Sequence, residues 1–240
     1  MATIYTNSDD GWVYYKSTLS WSAAHNAVMG ISADDNDTYS TNPVATYCTS
    51  GRGVTTYYVY RAFLAFDTAD IGVAPSAATL KVYGYSQSSG DIIAIEGTWD
   101  GDSLATSNFN DFTGNTLDWD STTVTRYSSE ISSWSTSGYN DISLNSDALT
   151  AMANNDILSI VLVNHTYDYS NTDPDLGGRS GCQSEKNGFY FTDYTGTDRD
   201  PYIDYTSGGY GNDPLGHDMD DIDSNVTGVA SASIKRIMGR

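Results

Sequence analysis

The chain is short of cations. Its 240 residues hold 11 Lys and Arg against 31 Asp and Glu, a formal net charge of −20. A surface of that sign repels phosphate backbones and anionic headgroups, so neither nucleic acid nor membrane is expected as a partner. Long apolar runs are missing too: no stretch approaches 18 apolar residues, so no segment reads as a membrane-spanning helix. The start, "MATIYTNSDDGWVYY", lacks the basic region and apolar core of a signal peptide, which sets the expectation of synthesis and release in a cytoplasm. Histidine is scarce: His25, His165 and His217 sit in unrelated contexts, with no H-E-x-x-H and no G-x-S-x-G. Carboxylates are so abundant that no chosen pair argues for glycoside hydrolysis, and His165 beside Tyr167 is thin support for a lyase. The expectation is a protein that is not an enzyme.

Cysteine is nearly absent. Cys48 and Cys182 lie in "YCTSG" and "SGCQS", and spacing alone leaves open both free thiols and a bridge. At 240 residues the chain is long enough to bury roughly 70–75% of its unfolded surface without metals or many disulfides.

What is present is β-patterned. "TTYYVYRAFLAFD" puts Tyr58, Tyr60, Ala62, Leu64 and Phe66 on one face and Val59, Arg61, Phe63 and Ala65 on the other. Both faces are largely apolar, which predicts a central strand between two layers. "AATLKVYGY" alternates Ala78, Leu80 and Val82 with Thr79, Lys81 and Tyr83; "DIIAIEG", "YNDISL", "DILSIVLVNH", "GFYFTDY" and "PYIDY" supply further strands. Helix signals are confined to "SWSAAHNAVMG", with a Ser cap at 20 or 22, and "NSDALTAMANN", capped by Asn145 or Ser146. The pattern predicts an all-β, antiparallel jelly-roll sandwich over 1–206 with one or two short helices. Residues 207–225 read as an acidic Gly/Asn/Asp linker. Residues 226–240 read as a separate β-type docking element, too small to fold alone.

The segment order resembles the domain called DNRLRE, close to the carbohydrate-binding jelly rolls. Its carriers are "DDGWVYY" (9–15), "VYRAFLAFDTADIG" (59–72), "SAATLKVYGY" (76–85), Trp99, "YNDISLNSDALTAM" (139–152), "ILSIVLVNHTYDYS" (157–170) and "GTDRDPYIDYT" (196–206). The tail "VTGVASASIKRIMG" is similar to short elements that recur in phage virion proteins. The resemblance implies a binding or structural role, and many such proteins are phage head or tail components. The composition agrees: rich in Ser, Thr, Asn, Gly, Asp and 19 Tyr, it suits a protein made in a host cytoplasm and exposed outside after release.

The resulting expectation is a non-enzymatic bacteriophage virion structural protein, a capsid decoration or a tail or fibre component. Its partners would be other virion proteins and copies of itself. Val226, Val229, Ile234 and Ile237 would anchor the docking tail, with Lys235, Arg236 and Arg240 meeting an acidic surface. The alternative is an adhesin for host polysaccharide, in which Trp12, Trp99, Trp119, Tyr167 and Tyr169 form a stacking platform. Arg61, mid-strand, requires a buried structural ion pair with a carboxylate such as Asp67, Asp193 or Asp204. No cofactor is required. Ca²⁺ is the cation suited to the acidic clusters Asp34/Asp35/Asp37, Asp100/Asp102, Asp173/Asp175 and Asp218/Asp220/Asp221/Asp223, although no EF-hand is formed.

Overall fold

The computed structural model describes residues 1–34, 42–177 and 181–209. The docking residues Val226, Val229, Ile234, Lys235, Arg236, Ile237 and Arg240, most of the acidic linker, and His217 lie outside the described residues.

The described residues form an antiparallel β-sandwich of jelly-roll type. A small sheet holds β1 (Ala2–Tyr5), β11 (Tyr202–Thr206), β6 (Ala77–Ser88) and β8 (Tyr139–Ser143). The larger sheet runs β10 (Ser184–Phe189), β4 (Val44–Gly51), β5 (Val54–Asp67), β2 (Gly11–Ser17) and β3 (Ser32–Asp34). Along the second half of β5, β9 (Ile157–Asn164) takes over from β4 and pairs on to β7 (Ile92–Glu96). β6 links the sheets: residues 77–83 pair with β11 and β8, and 84–87 pair with β10 across a register shift. Gly84 stands at that corner, where a Cβ would run into the Ser135 carbonyl.

The two-faced reading of β5 holds along its second half, where Arg61–Phe66 are buried on both faces of the larger sheet. Between the sheets, Leu64 and Phe66 meet Leu80, Val82, Ile92, Ile142, Leu158, Ile160 and Leu162. On the far side, Val59, Phe63 and Ala65 join Ile93, Ile95, Val161 and Val163 under a cover of irregular chain. That cover includes α1 (Trp21–His25), a 3₁₀ turn (Thr106–Asn110) and a π-helical turn (His165–Tyr169). Each fully buried aliphatic or aromatic side chain contributes roughly 1.5–3 kcal/mol. Both expected helices form. Ser20 caps α1 by accepting from the Ala23 N–H, and Asn145 caps α2 (Ser146–Asn154) by accepting from Asp147 and Ala148. α1 closes at its cap Asn26, whose N–H donates to the Ser22 carbonyl, and further on the Gly30 N–H donates to the Thr106 carbonyl.

The question left open for cysteine is answered: Cys48 in β4 is bonded to Cys182, with 5.0 Å between their Cα atoms. An antiparallel bridge pairs Cys182 with Asp175, and the Cys48 N–H donates to the Gln183 carbonyl at 3.1 Å. The disulfide thus fastens the chain that follows the π-helical turn to the larger sheet.

Candidate functional site

Arg61 lies fully buried on the far face of β5, and its partner is Asp168 rather than Asp67, Asp193 or Asp204. The reason is positional. Asp67 and Asp193 are exposed, and Asp204 belongs to the outer face of the small sheet. Asp168 is carried inward by the π-helical turn, which the Asn164 side chain caps by accepting from the Tyr167 N–H at 2.8 Å. Arg61 Nε and Nη2 donate to the two Asp168 oxygens at 2.9 and 2.8 Å. The remaining N–H groups go to the Phe109 carbonyl at 3.0 Å, the His25 carbonyl at 3.0 Å and Asn110 Oδ1 at 3.4 Å. All five guanidinium donors are engaged.

An aromatic box surrounds this pair. The Arg61 Cζ lies 4.1 Å from the Phe109 ring centre, 5.0 Å from Trp119 and 5.2 Å from Phe112. The His25 ring stacks on Trp119 at 4.3 Å, with Nε2 2.9 Å from the Asp168 carbonyl and Nδ1 2.7 Å from Asn26 Oδ1. Burial pushes its pKa below the usual histidine value. His25, Arg61 and Asp168 therefore form a closed structural knot with no face open to a substrate.

The expected stacking platform is also internal. Trp12, Trp99, Trp119, Tyr167 and Tyr169 are all buried, as are Trp21 and Trp134. Trp119 sits edge-on to Phe112, Trp99 edge-on to Phe63, and Tyr169 against His165. Trp12 and Trp134 fill the core between the sheets, and Trp21, Trp99, Trp119, Tyr167 and Tyr169 fill the space under the loops on the far face of the larger sheet. In the acidic loops, Asp100 and Asp173 accept from the backbone N–H groups of Asp102 and Asp175, so these carboxylates serve their own turns. His165 comes within 3.6 Å of Glu130, and Asp91 is pushed up by burial and by its hydrogen bond with Glu130. Nearby, Glu185 accepts from Asn164 at 2.7 Å.

Asp10 is a buried acid that sequence patterning did not single out. It is fully buried, accepts from Thr192 Oγ at 2.6 Å, and faces the charges of Asp193 and Asp200; burial is the main cause that pushes it up to about 8. In the unfolded chain it ionises near 3.8. Its contribution to stability is therefore complete below about pH 4 and declines as pH rises toward 8, by roughly 1.4 kcal/mol per unit at most. Asp10→Asn is expected to flatten that decline, so that the stability difference between variant and wild type shifts in the variant's favour by a few kcal/mol between pH 5 and 8. Denaturant titrations at both pH values read this directly, and parallel shifts for the two proteins contradict it.

Among the described residues, seven tyrosines form a belt on and beside the outer face of the small sheet. Alternation places Leu80, Val82, Ile142 and Ile203 inward and leaves Tyr83 and Tyr85 of β6, Tyr139 of β8 and Tyr202 of β11 outward. Tyr5 of β1 extends the row at one side, and Tyr190 and Tyr194 extend it at the other. Successive ring centres stand 5.6 Å (Tyr5–Tyr202), 5.1 Å (Tyr202–Tyr139), 5.2 Å (Tyr139–Tyr83), 5.9 Å (Tyr83–Tyr190) and 4.2 Å (Tyr190–Tyr194) apart. Tyr85 joins from the side at 4.9 Å from Tyr190. The Arg199 guanidinium stands 4.7–5.1 Å from the rings of Tyr190, Tyr194 and Tyr83.

The belt is held in place from beneath and from its rims. Tyr83 donates to the Ser137 carbonyl at 2.8 Å and Tyr139 to the Asp198 carbonyl at 3.0 Å. Burial pushes Tyr139 up to about 12, so it stays a neutral donor. Lys81–Asp141 (2.7 Å) and Thr3–Asp204 (2.7 Å) lie alongside. Tyr5 is 54% exposed, and the other six rings are half-buried. The arrangement can recognise a surface through rigid aromatic area, hydroxyls and one guanidinium. A second group, on the larger sheet, differs: Tyr14–Tyr60 and Tyr47–Tyr58 stack nearly parallel at 4.6 and 4.5 Å, with Lys186 4.0 Å over Tyr47, so ring faces are covered by neighbours.

Compared with known proteins, the sequence matches no family model and no curated protein.

Proposed function

We propose that this protein is a non-enzymatic structural component of a bacteriophage virion, a capsid decoration or a tail or fibre component. Its sandwich is displayed outward, and residues 226–240 dock it on neighbouring virion subunits or on copies of itself. The observation that carries the non-enzymatic part is the closed knot: His25, Arg61 and Asp168 would be natural catalytic groups in a cleft, yet each is buried and engaged with the chain itself. The virion part is supported by the resemblance of segments 9–206 and of the tail. A net charge of −20 facing three tail cations gives subunit association an electrostatic basis. Mass spectrometry of purified particles tests this: the chain is expected at a fixed copy number per particle, and its absence from particles overturns the reading.

The tyrosine belt favours a second reading, an adhesin for host polysaccharide. Tyrosine rings pack against sugar C–H faces, while Asp141 and Asp204 beside them accept from hydroxyls. On this reading the double variant Tyr83→Ala/Tyr190→Ala is expected to weaken retention on a neutral polysaccharide gel by tenfold or more, about 1.4 kcal/mol. Equal retention of variant and wild type, with unchanged folding, removes the belt as a glycan site.

A further inference from the structure

Cys48, Cys182 and Asp175 bring one sulfur each and a carboxylate oxygen within 4.8 Å of one another. Cys48 is fixed in β4, Cys182 is paired to Asp175 by a backbone bridge, and Asp175 Oδ2 accepts from Thr55 Oγ at 3.0 Å on the adjoining strand. The other carboxylate oxygen, Oδ1, accepts from the Gly177 N–H at 3.0 Å, so two hydrogen bonds hold the group beside the sulfurs. In the reduced chain that carboxylate would only hinder thiolate formation, unless a cation sits among the three groups.

We propose that the reduced form of this protein binds a thiophilic divalent cation, zinc by preference, through the Cys48 and Cys182 thiolates and the Asp175 carboxylate, with water in the fourth position. The spacing fits. Zinc takes sulfur at about 2.3 Å and carboxylate oxygen at about 2.0–2.2 Å, so two tetrahedral thiolates stand about 3.8 Å apart. Small separation of the sulfurs is assured, since the same pair is close enough to bond. Thiolate ligands select zinc over calcium or magnesium. Asp175 and Cys182 are half-buried, so two of the three groups are reached from solvent.

Binding itself needs no redox partner, and the later oxidation needs hydrogen peroxide as its oxidant. On binding, each thiol loses its proton to solvent and donates a lone pair to the cation. When hydrogen peroxide then removes two electrons from the thiolate pair, its O–O bond breaks as the S–S bond forms, it takes up two protons to leave as two waters, and the cation is released. The site would hold the loop against β4 in a reducing compartment, and the disulfide would hold it in an oxidising one.

The test uses the full chain kept reduced under anaerobic conditions and titrated with Co²⁺ as a spectroscopic stand-in, then with Zn²⁺. One equivalent of Co²⁺ is expected to give a thiolate-to-metal charge-transfer band with tetrahedral visible bands, and Zn²⁺ is expected to abolish both. Cys182→Ser is expected to lose the tetrahedral two-thiolate spectrum. Asp175→Asn is expected to keep the charge-transfer band with affinity weaker by about tenfold or more. Circular dichroism of each variant separates loss of the site from loss of the fold. Two results overturn the proposal: no thiolate band in the folded, reduced wild type, or Co²⁺ binding that is unchanged in Cys182→Ser or in the disulfide-bonded form.

Discussion

Asp168→Ala is expected to destabilise the protein by about 3–5 kcal/mol, because it leaves a fully buried guanidinium without its counter-charge. The surroundings cannot compensate. Arg61 is walled by Phe109, Phe112 and Trp119, and its remaining partners are two carbonyls and an amide oxygen, all neutral. A loss that large is a sizeable part of the 5–15 kcal/mol that holds a typical domain together. The double variant Arg61→Met/Asp168→Leu is expected to recover much of it, since removing both charges also removes their desolvation cost. Urea denaturation of the three proteins measures this. A single variant within about 1 kcal/mol of wild type would contradict a buried, engaged ion pair.

Cys48→Ser is expected to cost up to about 5 kcal/mol under oxidising conditions. The bridge joins positions separated by 134 residues, and the chain-entropy model assigns a closure of that size about 5 kcal/mol, with 2–4 the usual measured range. In wild type the same loss should follow reduction in the presence of a chelator. Reduction in the presence of zinc should cost less, because the ion would substitute for the bond. Thermal unfolding in these three states gives the comparison. Equal melting temperatures for wild type and Cys48→Ser under oxidising conditions rule out the bridge as a stabilising element.

How much of this was legible follows from how far each feature reaches along the chain. The two apolar faces of β5, the caps at Ser20 and Asn145, and the Ala78–Leu80–Val82 face of β6 are local, and alternation or capping chemistry shows them directly. The need of Arg61 for a counter-charge was legible too, since a cation in a two-faced apolar strand cannot stay unpaired. Its partner was not, because Asp168 lies 107 residues away and points inward only through a π-helical turn that has no simple sequence signature. The tryptophans misled for a related reason. Nothing local distinguishes a ring displayed on a loop from one that a loop folds down over a sheet. The belt was hidden differently: its tyrosines come from four strands and a loop, and only register aligns Tyr202 with Lys81 and Tyr83 with Tyr139. One signal was available: with 19 Tyr and only 5 Trp, the surplus aromatic surface had to lie somewhere outside the core.

The proposed role rests on attachment through residues 226–240 rather than on chemistry within the sandwich. The most direct test is the occupancy, in purified particles, of a chain ending at residue 225 beside the full-length chain. The account predicts that the shortened protein is folded and soluble but absent from particles. Particles carrying it at full-length occupancy would contradict the docking role.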